Sequence, residues 1–125
     1  MSTGKELVIT LSYRYKYGEF ADSQVEAAKI DIRKSVFFLL LCVDPETKSE
    51  YENIDVNEAF KNLSNKIAGL NSLFGYPPEL VNVQSLIECA RLIYNADDFN
   101  FKDYRKLILD AGAEVMRLPN CTEGD

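Results

Sequence analysis

Apolar residues recur at spacings of three and four along four successive stretches of this chain. Each stretch is closed by a proline, a glycine or a cluster of polar turn residues. Such spacing puts the apolar side chains on one face of an α-helix, so the chain is bound to a mainly helical fold. The first stretch covers residues 23–43, with Val25, Ala28, Ile32, Val36, Leu39 and Val43 on one face. Asp22 and Ser23 are its candidate N-caps, with Glu26 in the capping-box position after Ser23. Asp44–Pro45 closes it, because proline disfavours helix at the residue before it.

The second stretch opens at Asp55, with Glu58 in capping-box position, and carries Val56, Phe60, Leu63, Ile67, Leu70 and Phe74 inward. Gly75 ends it, and Pro77 and Pro78 forbid continuation. The third covers roughly residues 80–95, with Val83, Leu86, Ala90 and Ile93 on one face and Ile87 and Tyr94 beside them. A turn at 95–98 leads to Asn100, which caps the fourth stretch; Asp103 favours its positive end. Its stripe is Phe101, Tyr104, Ile108, Ala111, Val115 and Leu118. Short connections between helices make antiparallel neighbours.

One segment has a different period. Residues 6–17, ELVITLSYRYKY, alternate strictly: Ile9, Leu11, Tyr13, Tyr15 and Tyr17 face one way, and Val8, Thr10, Ser12, Arg14 and Lys16 the other. Alternation with β-branched and aromatic residues predicts a half-buried strand, ended by Gly18. The fold class is therefore mainly α with an N-terminal β-strand, a four-helix-bundle-like single domain over residues 1–118 with a flexible tail at 119–125.

A strand needs a partner along its edges. Val36–Val43, VFFLLLCV, is apolar on every side, so as helix it predicts a surrounding of protein. The alternative makes it a buried strand pairing with the first; of the two, helix is favoured. Tyr51–Ile54 is the other internal candidate, followed by the same strand of a second copy and then a foreign strand added by β-augmentation.

Composition narrows the function classes. A formal net charge of −6 argues against nucleic-acid backbone binding and against an anionic membrane surface, both of which need a basic face. It suits solubility and permits a basic protein partner. The longest apolar run, Val36–Val43, is far short of the roughly 20 residues a membrane helix needs, and residues 1–15 carry no signal pattern. The cysteines Cys42, Cys89 and Cys121 form neither a disulfide framework nor a CxxC motif, which indicates a reducing, cytoplasmic setting. Cys42 and Cys89 lie in apolar segments and are expected to be buried thiols.

Histidine is absent, which removes His-dependent nucleophilic dyads and the usual zinc sites. No glycine-rich phosphate loop is present. Asp110 and Glu114 share a helix face, but no matching inward acids face them, so no metal is expected. Glu88 and Arg91 read as a surface ion pair. None of the 14 basic residues falls on a predicted core stripe. Neither a cofactor nor a catalytic residue is assigned.

The sequence thus points to a non-enzymatic interaction module that binds another protein, in the manner of the regulators, inhibitors and immunity proteins of bacteria and phages. Its candidate contacts are Tyr13, Tyr15 and Tyr17, with the Asp97/Asp98 turn as a second patch. The first alternative is a homodimer binding a small molecule or nucleotide, with Arg14, Lys16 and Arg105 supplying charge and Phe99 and Phe101 stacking. A structural adaptor in a larger assembly is the second.

Overall fold

A computed structural model describes residues 12–15 and 18–118, with side chains from residue 23 onward. Two short strands, β1 (Ser12–Tyr15) and β2 (Gly18–Ala21), precede four helices: α1 (Asp22–Leu41), α2 (Val56–Phe74), α3 (Pro78–Tyr94) and α4 (Phe101–Arg117). A single 3-10 turn, Lys48–Tyr51, lies between α1 and α2.

The N-terminal strand finds its partner next door. β1 pairs antiparallel with β2, Ser12 opposite Ala21 and Tyr15 opposite Gly18. Gly18 therefore opens a second strand rather than closing the first. Neither expected internal partner is a strand: Val36 to Leu41 is helix, and Tyr51 belongs to the 3-10 turn. A local hairpin closes the shortest loop and so costs the least chain entropy. Residues 6–11 of the predicted strand, and residues 16 and 17, lie outside the described residues.

Two of the four helices open on the side-chain caps expected of them, while the candidate caps Asp22 and Ser23 lie inside α1, which begins at Asp22. The Asp55 side chain accepts from the Glu58 backbone N–H at 3.1 Å, and Asn100 accepts from that of Asp103 at the same distance. Gly75 adopts the left-handed conformation at φ 76°, and its N–H bonds back to the Asn71 carbonyl. Pro78 opens α3 at its first helical position, where no donor is lost.

The four helices form a bundle in which α1 packs on α2 and α4, and α3 packs on the same two. The main core holds Ile32, Val36 and Leu39 of α1 against Phe60 and Ile67 of α2, Ile87 of α3 and Ile108 of α4. A second cluster, Val25, Phe74, Leu80 and Leu118, closes the end where α1 begins. No helix among the described residues is long and apolar enough to cross a membrane.

Four expectations are corrected. The end of α1 is not surrounded by protein: Leu41 is 37% exposed and Phe37, Phe38 and Leu40 are half-buried. Two neighbouring helices cover only one side of it. Lys29 is buried and lines a small void with Ala28, Ile32, Phe74 and Val115, with Glu26 Oε1 3.7 Å from its Nζ. A long alkyl stem reaches out of an apolar site, so spacing alone missed it. Cys89 is exposed, whereas Cys42 is buried as expected. Finally, the α2 stripe turns inward at Asn71 while Leu70 is half-buried, and in α3 the buried residue is Ile87 rather than Leu86.

Candidate functional site

The α1 helix carries two stripes. The inner one, Val25, Ile32, Val36 and Leu39, is core. The outer one, Glu26, Ile30, Arg33, Phe37 and Leu41, keeps the same three-and-four spacing and faces an open groove of about 520 Å³ beside α4. Ile30 is 47% exposed, and Met116 on the facing side of α4 is 43% exposed. Isolated surface hydrophobics are ordinary; here several align along one groove.

Phe37 is the centre of this surface. Its ring packs against Gly112 of α4, where a Cβ would stand 3.5 Å from the ring's Cζ, an ordinary van der Waals contact. The Arg33 guanidinium carbon lies 5.4 Å from the ring centroid, a cation–π contact. Arg33 and Lys34 are both exposed, and among the described residues neither has a carboxylate within ion-pair distance. The nearby acids are engaged: Asp31 pairs with Lys66 at 3.0 Å, and Glu26 lies 3.7 Å from Lys29.

Lys34 and Phe38 also border a second, smaller groove of about 300 Å³ between α1 and α2, walled by Leu63 and Lys66. Lys66 donates to Ser35 Oγ at 3.3 Å. The outward side of α1 is thus flanked by two hollows sharing one ridge, apolar with cationic centres.

The predicted site residues fall elsewhere. Tyr13, Arg14 and Tyr15 are in β1, opposite Phe20, Glu19 and Gly18; Lys16 and Tyr17 lie outside the described residues. β2 runs directly into α1, so the hairpin belongs with the end where α1 begins. Asp97 and Asp98 are exposed in the connection between α3 and α4, at the opposite end of the bundle. Phe99 and Phe101 are there too, and their rings meet the buried ring of Tyr104 at 5.8 and 6.4 Å. Phe99 also meets Tyr94 edge to face at 6.1 Å. Both aromatics are therefore engaged with the protein's own rings. Arg105 is exposed on the first turns of α4. Arg14 lies in the hairpin that leads into the start of α1, whereas Phe99, Phe101 and Arg105 lie at the end of the bundle where α1, 20 residues long, stops.

Other polar clusters are internally satisfied. Asn57 and Asn95 exchange two side-chain hydrogen bonds, at 3.1 and 2.9 Å. Glu88 is held by Arg91, whose hydrogen bonds keep the carboxyl below its usual range. Asp110 is paired with Lys106 at 2.9 Å and Glu114 with Arg117 at 3.1 Å. No group of three metal-ligating side chains gathers among the described residues.

The sequence does not single out the α1 surface, because Val36–Val43, which holds Phe37 and Leu41, reads as enclosed by protein and Ile30 falls outside the inward stripe. The signal was present: Ile30, Phe37 and Leu41 form a second helical stripe, interrupted by Arg33 and Lys34. Comparison of the chain with family models, curated proteins and solved structures found no match.

Proposed function

We propose that this chain is a non-enzymatic protein-interaction module whose contact surface is the outward side of α1. The observation that carries this reading is the outer stripe of α1: Ile30, Phe37 and Leu41 in helical register along an open groove. Covering an apolar row of this kind lowers the free energy by about 25 cal/mol per Å² of apolar surface removed from water. An inhibitor or regulator needs nothing more than such a surface.

The alternative of a ligand-binding homodimer through Arg14, Lys16, Phe99, Phe101 and Arg105 requires two copies lying with opposite ends together. The α1 surface is continuous within one copy, and this favours the interaction reading. The test is site-specific photo-cross-linking in the source cells. A photoreactive residue at Ile30 or Leu41 is expected to yield one discrete adduct with another protein. The same residue at exposed Lys102, on α4, is expected to yield none. Equal adduct patterns from all three positions would remove the reading.

A further inference from the structure

We propose that the α1–α4 groove receives an acidic amphipathic helix of a partner protein. Its apolar side would lie on Ile30, Phe37, Leu41 and Met116, and its carboxylates on Arg33 and Lys34. This inference rests on the interaction reading above and names the kind of partner.

The first argument is spacing. Ile30, Phe37 and Leu41 repeat at helical intervals, which are the intervals at which a second helix offers its own side chains. From Ile30 to Leu41 the row spans about three turns, so a helix of roughly a dozen residues covers it.

The second argument is charge. The whole chain carries a net charge of −6, yet the middle of this groove presents two cations with no carboxylate in reach among the described residues. The lining of the groove therefore carries two cations, Arg33 and Lys34, against one acid, Glu26, which lies 3.7 Å from Lys29. A basic helix would meet Arg33 and Lys34 directly, while an acidic one pairs with both. Arg33 is also prepared for the role. Its contact with the Phe37 ring limits its conformations and leaves a planar fork that matches a carboxylate.

The third argument disfavours a second copy of the same helix. A two-fold axis midway between Ile30 and Leu41 would lie between Ser35 and Val36. Each copy would then bring Arg33 and Lys34 within about a turn and a half of the other's along the helix axis. The occupant is a different, acidic surface.

Two synthetic helical peptides test this, each of about 14 residues. They share leucine anchors at helical intervals and differ only in carrying Glu or Lys at the flanking positions. They are titrated into the full chain at low ionic strength, followed by amide chemical shifts. The Glu peptide is expected to perturb α1 and α4 and to bind at least about tenfold more tightly than the Lys peptide. The double substitution Arg33→Glu, Lys34→Glu is expected to invert that preference. Ile30→Asp, at an exposed position that leaves the core intact, is expected to abolish binding of both.

Equal affinities, no binding by either peptide, or shifts confined to other helices would overturn the acidic-helix proposal. Concentration-dependent self-association through α1 would overturn it in favour of a second copy. Binding to vesicles rich in phosphatidylserine, without peptide preference, would overturn it in favour of a lipid surface. A discrete cross-link at Ile30 alongside a failed peptide titration would leave the interaction reading standing and remove only the acidic helix. A missing cellular adduct would remove the interaction reading and with it the acidic helix, even beside a preferential peptide titration.

Discussion

The hydroxyl of Tyr104 donates a 2.8 Å hydrogen bond to the carbonyl of Leu39, joining the first turns of α4 to the last turn of α1. The bond completes an account of the four carbonyls that a helix leaves without intrahelical partners at its C-terminus. Phe38 accepts from the Cys42 N–H, and Leu40 accepts from those of Val43 and Asp44. Leu41 accepts from the Thr47 hydroxyl at 2.7 Å. Leu39 depends on Tyr104. Both residues are buried, so no water replaces the phenol. Tyr104→Phe is expected to lose about 1–2 kcal/mol in a denaturant titration. A loss under a few tenths would show that the carbonyl finds another donor.

The same burial sets a pH dependence. Removal from water pushes the Tyr104 phenol well above its ordinary value, and the neighbouring Cys42 and Tyr94 add to the shift. Burial pushes the Cys42 thiol up as well. Both groups are favoured neutral in the fold. Their contribution is fully present below the unfolded values, about 8.5 for Cys and 10 for Tyr. It is lost as pH rises, because the unfolded chain ionises first and releases protons the fold retains. Melting temperature is expected to stay level through neutral pH and fall from about pH 9 upward. Tyr104→Phe is expected to flatten the part of the decline above pH 10. An unchanged alkaline slope in that variant would assign the decline to other groups.

The turn between α2 and α3 holds two successive residues at positive φ, Gly75 at 76° and Tyr76 at 60°. Both N–H groups bond to the Asn71 carbonyl, which closes α2. Glycine suits this conformation; tyrosine does not, and holding it there costs roughly 1–2 kcal/mol. The Tyr76 ring is 59% exposed, so packing returns little of that cost. Tyr76→Asn is expected to stabilise the fold by about 0.5–1 kcal/mol, and Gly75→Ala to destabilise it by about 1 kcal/mol. Thermal melting of the pair reads opposite signs. A destabilised Tyr76→Asn would mean that the ring makes a contact worth more than the strain.

Helix positions are legible chiefly from their periods, with caps agreeing at α2 and α4. Asp55, Gly75 and Asn100 mark boundaries by local hydrogen bonding, which a sequence displays directly. The four-helix arrangement followed from short connections. Which side of each helix faces inward was less legible, as Asn71, Leu70 and Lys29 show. Spacing fixes a stripe only to within about one residue, and side-chain length then decides what is buried. The hairpin partner was missed because Gly18 was read as an end; the four residues Gly18–Ala21 are too few to display alternation. The α1 groove was hidden for a different reason. An apolar helix surface looks the same in sequence whether its own fold covers it or leaves it for a partner.

Asn71 presents the last relationship with a measurable consequence. It is 1% exposed on α2, and its Nδ2 donates to the Gln84 side chain at 2.9 Å. Its Oδ1 is buried with no hydrogen-bond partner among the described residues. A buried orphan acceptor costs about 1–3 kcal/mol, whereas the single bond made by Nδ2 contributes about 1 kcal/mol. Leucine has a similar shape and carries neither group, and half-buried Gln84 retains access to water. Asn71→Leu is therefore expected to leave stability unchanged or raise it by about 1 kcal/mol in urea unfolding. The control is Asn71→Ala, which removes the same polar atoms but opens a cavity, and is expected to destabilise by about 1–2 kcal/mol. A loss in Asn71→Leu as large as that in Asn71→Ala would show that Oδ1 is satisfied in solution, and that the amide was retained for the bonds it makes.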